Sequence, residues 1–237
     1  MRLSACALPA LLLCACSTRP DPLPAFPRLV LWAWERPEHL PFVDPHTTGV
    51  AFLTRTISWR GGQVASRPRL QPLEVPSGTA MMAVVRLEGS GPLPDMQSIA
   101  EPILRDAARP GIQALQIDFD ARASERAWYR GLLDRLRSVL AAGVPLTITA
   151  LASWCEENTW IRGLPVSDAV PMLFRMGPGE PRGKVVFRAP LCQSSLGLST
   201  DEWPAQAPRG RRVFVFRPRA WDEEAYRAVL AGVRRWR

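Results

Sequence analysis

Several residue types on which common enzyme chemistries depend are scarce in this 237-residue chain. Its two histidines, His39 and His46, lie close together near the start and leave no convincing zinc site. The chain has no G-x-S-x-G sequence for a serine hydrolase and no Walker motif for a nucleotide. We therefore expect neither a metal nor another cofactor.

Lysine is almost absent too, since Lys184 is the only one, and nearly all the positive charge behind the formal net charge of +8 is arginine. The arginines are scattered apart from short clusters, such as the one at Arg209, Arg211 and Arg212. No stripe of arginines interleaved with aromatic residues is present, so we expect no nucleic-acid partner. An anionic envelope surface suits this charge better.

The amino terminus has no apolar run long enough to span a bilayer, but residues 1–15 have the basic start and short apolar stretch of a secretion signal. The sequence "LCAC" resembles the lipobox of bacterial lipoproteins, with Cys16 as the acylated residue. Plain secretion with a cut nearby is the alternative. Ser17 follows Cys16, which by the enterobacterial rule implies the periplasmic side of the outer membrane. Residues 16–28 are rich in proline, which predicts a stiff tether.

Only two cysteines, Cys155 and Cys192, remain after the signal and the lipidated residue are set aside. The oxidising compartment favours a disulfide between them. Two separate buried thiols are the alternative, because the sequence does not give their distance.

Short apolar runs recur from Leu29 onward, and eight of them are strand candidates, with good helices after only some. This alternation predicts a parallel sheet, and eight repeats predict a (β/α)₈ TIM-like barrel over residues 29–237, with irregular or missing helices. An open doubly wound sheet is the alternative fold. Its glycine-rich phosphate signature is missing, since "GSG" at 89–91 has no third glycine in place.

The stretch "GIQALQIDFDA" ends in two acids, Asp118 and Asp120, which the alternation of a strand places on one face. In a barrel, the carboxyl ends of the strands form the functional mouth, so both acids are candidate catalytic residues.

This strand resembles the fourth-strand motif D-x-x-D-x-D-x-E of the chitinase-type glycoside hydrolases. Gln113, Gln116, Asp118 and Asp120 stand at its four acidic positions. The sequence "MLF" at 172–174 is similar to the sixth-strand "MxY" of the same families, and Arg175 stands where an Asp normally follows.

The resemblance implies that Asp120 is the acid that protonates the glycosidic oxygen, and that Asp118 supports a substrate acetamido group. A second carboxylate source follows the seventh strand candidate, where Asp201 and Glu202 lie in "GLSTDEWP". Glu202 opposite Asp120 would complete a two-carboxylate site, with Asp201 nearby as a substrate-binding residue. Alternatively, Asp201 and Glu202 cap a short loop or helix.

Aromatic residues at the strand ends are candidate sugar-stacking residues. Trp32 and Trp34 end the first strand and Trp154 ends the fifth, and we group them with Arg175 as candidate substrate-binding residues. Filling of the core and rim is the alternative role for each ring.

The whole pattern, from the lipobox through "QIDFDA", "LTITALASWC" and "LFRMG", resembles an uncharacterised bacterial lipoprotein family with glycoside-hydrolase-like barrels of unknown function. We expect a lipid-anchored envelope protein that hydrolyses a polysaccharide. A non-catalytic glycan-binding or envelope-assembly lipoprotein is the alternative. Carbohydrate and membrane are the expected partners.

Overall fold

Eight parallel strands form the wall of a closed barrel in the computed structural model, which describes residues 20–157, 160–174, 186–204 and 208–234. The strands are β1 (Leu29–Ala33), β3 (Thr48–Arg60), β6 (Met81–Ser90), β7 (Ile112–Asp118), β8 (Leu146–Leu151), β9 (Asp168–Met172), β10 (Ser195–Ser199) and β11 (Arg212–Phe216). Because β1 pairs with both β3 and β11, the wall has no free edge. The TIM-like barrel is confirmed, and the open sheet is excluded.

Three further strands of the described part of the chain lie outside the wall. β3 continues beyond the barrel and turns at Gly61 and Gly62 into the exposed antiparallel strand β4 (Gln63–Pro68). Both glycines have positive φ, the conformation that a tight turn requires. β2 (Glu38–His39) and β5 (Leu73–Glu74) form a separate parallel pair. The segment that follows the second barrel strand therefore forms a hairpin on the rim.

In the described residues, four α-helices accompany the strands: α1 (Met96–Ala107), α2 (Arg126–Val139), α3 (Ala152–Glu157) and α4 (Glu223–Val233). Asp95 and Asp222 cap α1 and α4 with their side chains. Ser124 lies in a 3₁₀ turn that precedes α2. In this turn the carboxylate of Glu125 accepts a hydrogen bond from the amide of Arg122.

The alternation of each strand divides the apolar side chains between two cores. One core lies between the wall and the helices and includes Leu115, Ile117 and the α2 residues Tyr129 and Leu133. The other fills the barrel interior. Its members are Leu23, Phe26, Val30, Trp32, Ala51, Leu53, Ala80, Met82, Val84, Ala114, Val170, Phe214 and Phe216.

The segment before β1 closes the amino-terminal end of the barrel. Leu23 and Phe26 are buried in the interior core. Arg212, at the start of β11, is also buried, and it binds both carboxylate oxygens of Asp21 as well as the carbonyls of Leu23 and Phe26. The barrel domain therefore begins before residue 29, and residues 21–27 are part of the fold rather than free tether. Cys16 lies outside the described residues.

Candidate functional site

Three polar side chains meet inside the barrel at the carboxyl ends of neighbouring strands. Arg86 on β6 donates to Oδ2 of Asp118 on β7 at 3.2 Å, and the Thr149 hydroxyl on β8 donates to Oδ1 at 2.8 Å. Burial raises the pKa of Asp118, while Arg86 and Thr149 oppose that rise and Asp120 adds to it. Both oxygens of Asp118 are thus engaged, and the carboxyl group is held in one orientation.

Asp120 lies two residues beyond Asp118, past the end of β7, and its side chain is exposed. The two acids line one small depression of about 150 Å³, together with Arg86, Glu88 and Glu125. The expectation that strand alternation brings Asp118 and Asp120 to the same mouth is confirmed. Their environments differ, because Asp118 is mostly buried and Asp120 faces solvent.

Aromatic rings form the floor beside these charges. Trp34 and Phe174 are half-buried, and their ring centroids lie 6.4 and 5.0 Å from that of Phe216 on β11. The guanidinium carbon of Arg86 lies 5.8 Å from the centre of the Trp34 ring. Gly197 on β10 leaves space for the neighbouring side chains, since a Cβ there would lie 2.4 Å from the sulfur of Met172 and 3.3 Å from the Phe216 ring.

Trp32 lies below this floor and is completely buried. Its ring centroid is 5.6 Å from that of Trp34 and 4.3 Å from that of Phe216. Trp32 therefore supports the floor from inside the barrel and offers no face to a ligand, which corrects its expected role in direct substrate contact.

Trp154 also differs from expectation. It lies in α3, not at the end of β8, and it packs edge-on against Trp160 with the ring centroids 4.7 Å apart. Because only 5% of Trp154 is exposed, the ring has no free face for a sugar. Its neighbour Cys155 forms a disulfide with Cys192, with the two Cα atoms 5.8 Å apart, so the predicted bridge is confirmed.

The acids that follow β10 lie in a bend of the chain. Asp201 contacts the Ser199 hydroxyl and lines a cleft with Trp203 and Arg217, while Glu202 is exposed. In the wall, β8 and β9 lie between β7 and β10. Glu202, which follows β10, therefore lies at a different part of the rim from Asp120, which follows β7. Arg175 lies outside the described residues.

A buried polar layer lies deeper in the barrel. Gln116, Thr147 and Asp168 occupy paired positions on β7, β8 and β9 and point inward. Burial raises the pKa of Asp168 to about 7, against the opposing influence of Ser195 and Arg212. In the described part of the chain, Asp168 forms no ion pair and the amide of Gln116 has no hydrogen-bond partner.

Arg86, Thr149, Phe174 and Phe216 belong to this site but were not among the sequence candidates. Strand alternation is the sequence signal that could have identified them. Met82 and Val84 on β6 point inward, so Arg86, two residues further along, points inward as well. Within the described ranges, no group of three or more His, Cys, Asp or Glu is placed to hold a metal ion. The same residues contain no helix long and apolar enough to cross a membrane.

Comparison with known proteins gives limited similarity. The profile of a domain of unknown function (DUF3142) matches residues 77–170, the stretch that includes Arg86, Asp118, Asp120 and Thr149. No curated protein matches the chain. The crystal structure of the Bacillus cereus spore cortex-lytic enzyme SleL matches with a TM-score of 0.39 and 16% identity, covering 61% of this chain and 40% of that one. The chain thus spans well under half of that enzyme, and the likeness assigns it no ligand.

Proposed function

We propose that this protein is a lipid-anchored protein of the bacterial cell envelope whose barrel binds a polysaccharide at its carboxyl-terminal mouth. One observation carries the proposal: the partly exposed ring of Trp34 lies 5.8 Å from the guanidinium carbon of Arg86, which pairs with Asp118. The partly exposed Phe174 extends this aromatic floor through its contact with Phe216. Flat rings stack on the apolar faces of sugars, and charged groups beside them bind the hydroxyls by hydrogen bonds. Such a mixture of apolar surface and a few fixed polar groups is typical of ligand sites.

The environments of the two acids favour binding over hydrolysis. A general acid must reach the glycosidic oxygen while it carries a proton. Both oxygens of Asp118 are already bonded, to Arg86 and to Thr149. Asp120 is exposed to water, and it is one methylene shorter than the glutamate of the chitinase-type motif. A shortfall of about 1 Å in the position of a catalytic group can cost about a hundredfold in rate.

Hydrolysis is the second candidate, and one observation favours it. Asp118 and Asp120 line the same depression, and Asp120 contributes to the raised pKa of Asp118. Two carboxyl groups at one site are the usual arrangement in a glycoside hydrolase. In this case Asp120 would protonate the leaving oxygen, and Asp118 would orient the substrate.

The lipid anchor at Cys16 is part of the proposal and rests on the sequence. The position of the first described residues supports it, because Asp21 and Leu23 lie at the amino-terminal end of the barrel, opposite the mouth. A tether that leaves from this end would hold the mouth away from the membrane. The periplasmic face of the outer membrane is the location we propose.

A screen of envelope and extracellular polysaccharides, including N-acetylated ones, tests the proposal. The soluble chain should begin at residue 20, because Asp21 and Leu23 are part of the fold. We expect saturable binding to a polysaccharide by the wild type and by D120N, without release of reducing ends. The variant D134N removes an exposed carboxyl group on α2 and controls for the lost charge.

Reducing ends released by the wild type and D134N but not by D120N would establish the hydrolase instead. If the chain neither binds any polysaccharide of the screen nor releases reducing ends from one, both candidates are contradicted.

A further inference from the structure

Another cleft lies at the opposite end of the molecule from the mouth. Its volume is about 500 Å³, within the range of small-ligand sites. Its lining comes from residues just before β1, β3 and β11, from the first residues of β10 and β11, and from the last turn of α4. The starts of parallel strands define the amino-terminal end of a barrel, so this cleft is at the end where the chain continues toward residue 20.

The walls of this cleft are apolar, and its rim is cationic. Pro27 and Pro208 contribute partly exposed apolar side chains, above the buried Leu196, Val213 and Val233. Arg28 and Arg211 also line the cleft. Arg28 donates one hydrogen bond to the carbonyl of Gly210, and Arg211 donates to the carbonyl of Cys192 and to the side chain of Gln193. All these hydrogen-bond partners are neutral, and the guanidinium carbon of Arg211 also lies 5.2 Å from the centre of the Phe187 ring.

The nearest carboxylates act on these two arginines without direct contact, Asp21 on Arg28 and the buried Asp168 on Arg211. Asp21 is paired with Arg212, and Asp44 accepts from the amide of His46 and the hydroxyl of Thr47. Over the described ranges, neither Arg28 nor Arg211 forms an ion pair with a carboxylate.

Further exposed arginines lie at the same end of the molecule as the cleft. Arg109 lies in the turn before β7, Arg209 in the turn before β11, and Arg234 at the end of α4. A basic surface of this kind attracts anionic lipids.

We infer that this cleft binds the headgroup of an anionic phospholipid in the membrane from which the chain is tethered. Arg28 and Arg211 hold the phosphate by charge-assisted hydrogen bonds, and the apolar walls contact the glycerol and the first methylenes. The bound headgroup fixes the barrel on the bilayer with its mouth directed outward. The inference rests on the proposed function for the tether alone, since no residue of the mouth takes part.

Hydrogen–deuterium exchange of the full chain reconstituted in vesicles tests this site. We compare phosphatidylcholine vesicles with phosphatidylcholine vesicles that contain phosphatidylglycerol, and follow the amides of residues 26–31 and 208–213. Phosphatidylglycerol should slow this exchange by at least about tenfold, whereas inorganic phosphate added to phosphatidylcholine vesicles should not. The charge-removing pair R28Q/R211Q should lose the effect, and R28K/R211K should recover part of it.

The matched control is R219Q/R227Q, which removes the same charge from two exposed arginines outside the cleft. It should behave as the wild type. R28Q alone, whose side chain is exposed, provides the same test if the double variant fails to fold.

Equal protection in the two kinds of vesicle, equal protection in R28Q/R211Q and the wild type, or an equal response to inorganic phosphate would overturn the inference. A chain that does not stay on the vesicles would refute the anchor instead. In that case soluble dihexanoylphosphatidylglycerol, with the phosphatidylcholine analogue as control, tests the cleft by the same exchange measurement.

Discussion

Asp168 shows how far a single residue of this barrel departs from its ordinary behaviour. Its side chain is buried inside the wall, and burial raises its pKa to about 7. In the unfolded chain the pKa of Asp168 is about 3.8. Since the folded state holds the proton more tightly, the stability that Asp168 contributes is fully present below pH 3.8, the pKa of the group in the unfolded chain. This stability is lost as the pH rises through about 7, the pKa in the folded state.

We therefore expect D168N to remove a pH dependence. Between pH 5 and 7, the unfolding free energy of the wild type should fall relative to D168N by about 2–3 kcal/mol, at about 1.4 kcal/mol per pH unit. Urea unfolding at several pH values measures this difference, and D134N, which removes an exposed carboxyl group, serves as the control. Parallel curves for the wild type and D168N would show that Asp168 carries its charge in the folded state.

The placement of Asp118 and Asp120 could be predicted because strand alternation requires no tertiary information. The pairing of Asp118 with Arg86 could not, since it depends on which strand lies beside β7 and on the register between them. Trp32 shows the same limit. The alternation of β1 predicts the face of the strand on which Trp32 lies. The depth of Trp32 below Trp34 depends on the register between β1 and the neighbouring strand.

At the scale of elements, the eight strands were predictable and the ends of the helices were not. Each barrel strand is an apolar run bounded by turn residues, a strong local signal. Ser124 resembles a helix cap, yet Glu125 forms a competing turn with Arg122 that delays α2. The prolines of residues 20–27 predict a tether, but Leu23 and Phe26 pack into the apolar interior at the end of the barrel.

A substitution in this segment measures its contribution. L23A removes a completely buried side chain and should lower the unfolding free energy by about 2–5 kcal/mol. L70A makes the same chemical change at a leucine that is 77% exposed, and it should change stability by less than about 0.5 kcal/mol. Equal stability of the two variants would mean that residues 21–27 are not part of the folded domain. Urea unfolding of both variants decides the matter.

At the scale of the whole molecule, the barrel separates two surfaces with different chemistry. The carboxyl-terminal mouth combines the rings of Trp34 and Phe174 with an ion pair, and the amino-terminal end carries the cationic cleft beside the segment that leads to the tether. A closed barrel keeps these two surfaces on opposite sides of one interior core. The proposed glycan site and the proposed membrane site can therefore be occupied together.

The most direct test of glycan binding at the mouth is a titration with N-acetylglucosamine oligosaccharides and the polysaccharides of the screen, using W34A, W34F and W160A. Trp160 is a matched control, since it is half-buried and has an arginine over its ring, as Trp34 does. W34A should weaken binding by at least about tenfold, equivalent to about 1.4 kcal/mol, while W34F and W160A stay within about twofold of the wild type. Unchanged affinity in W34A, with the fold intact, would contradict the account.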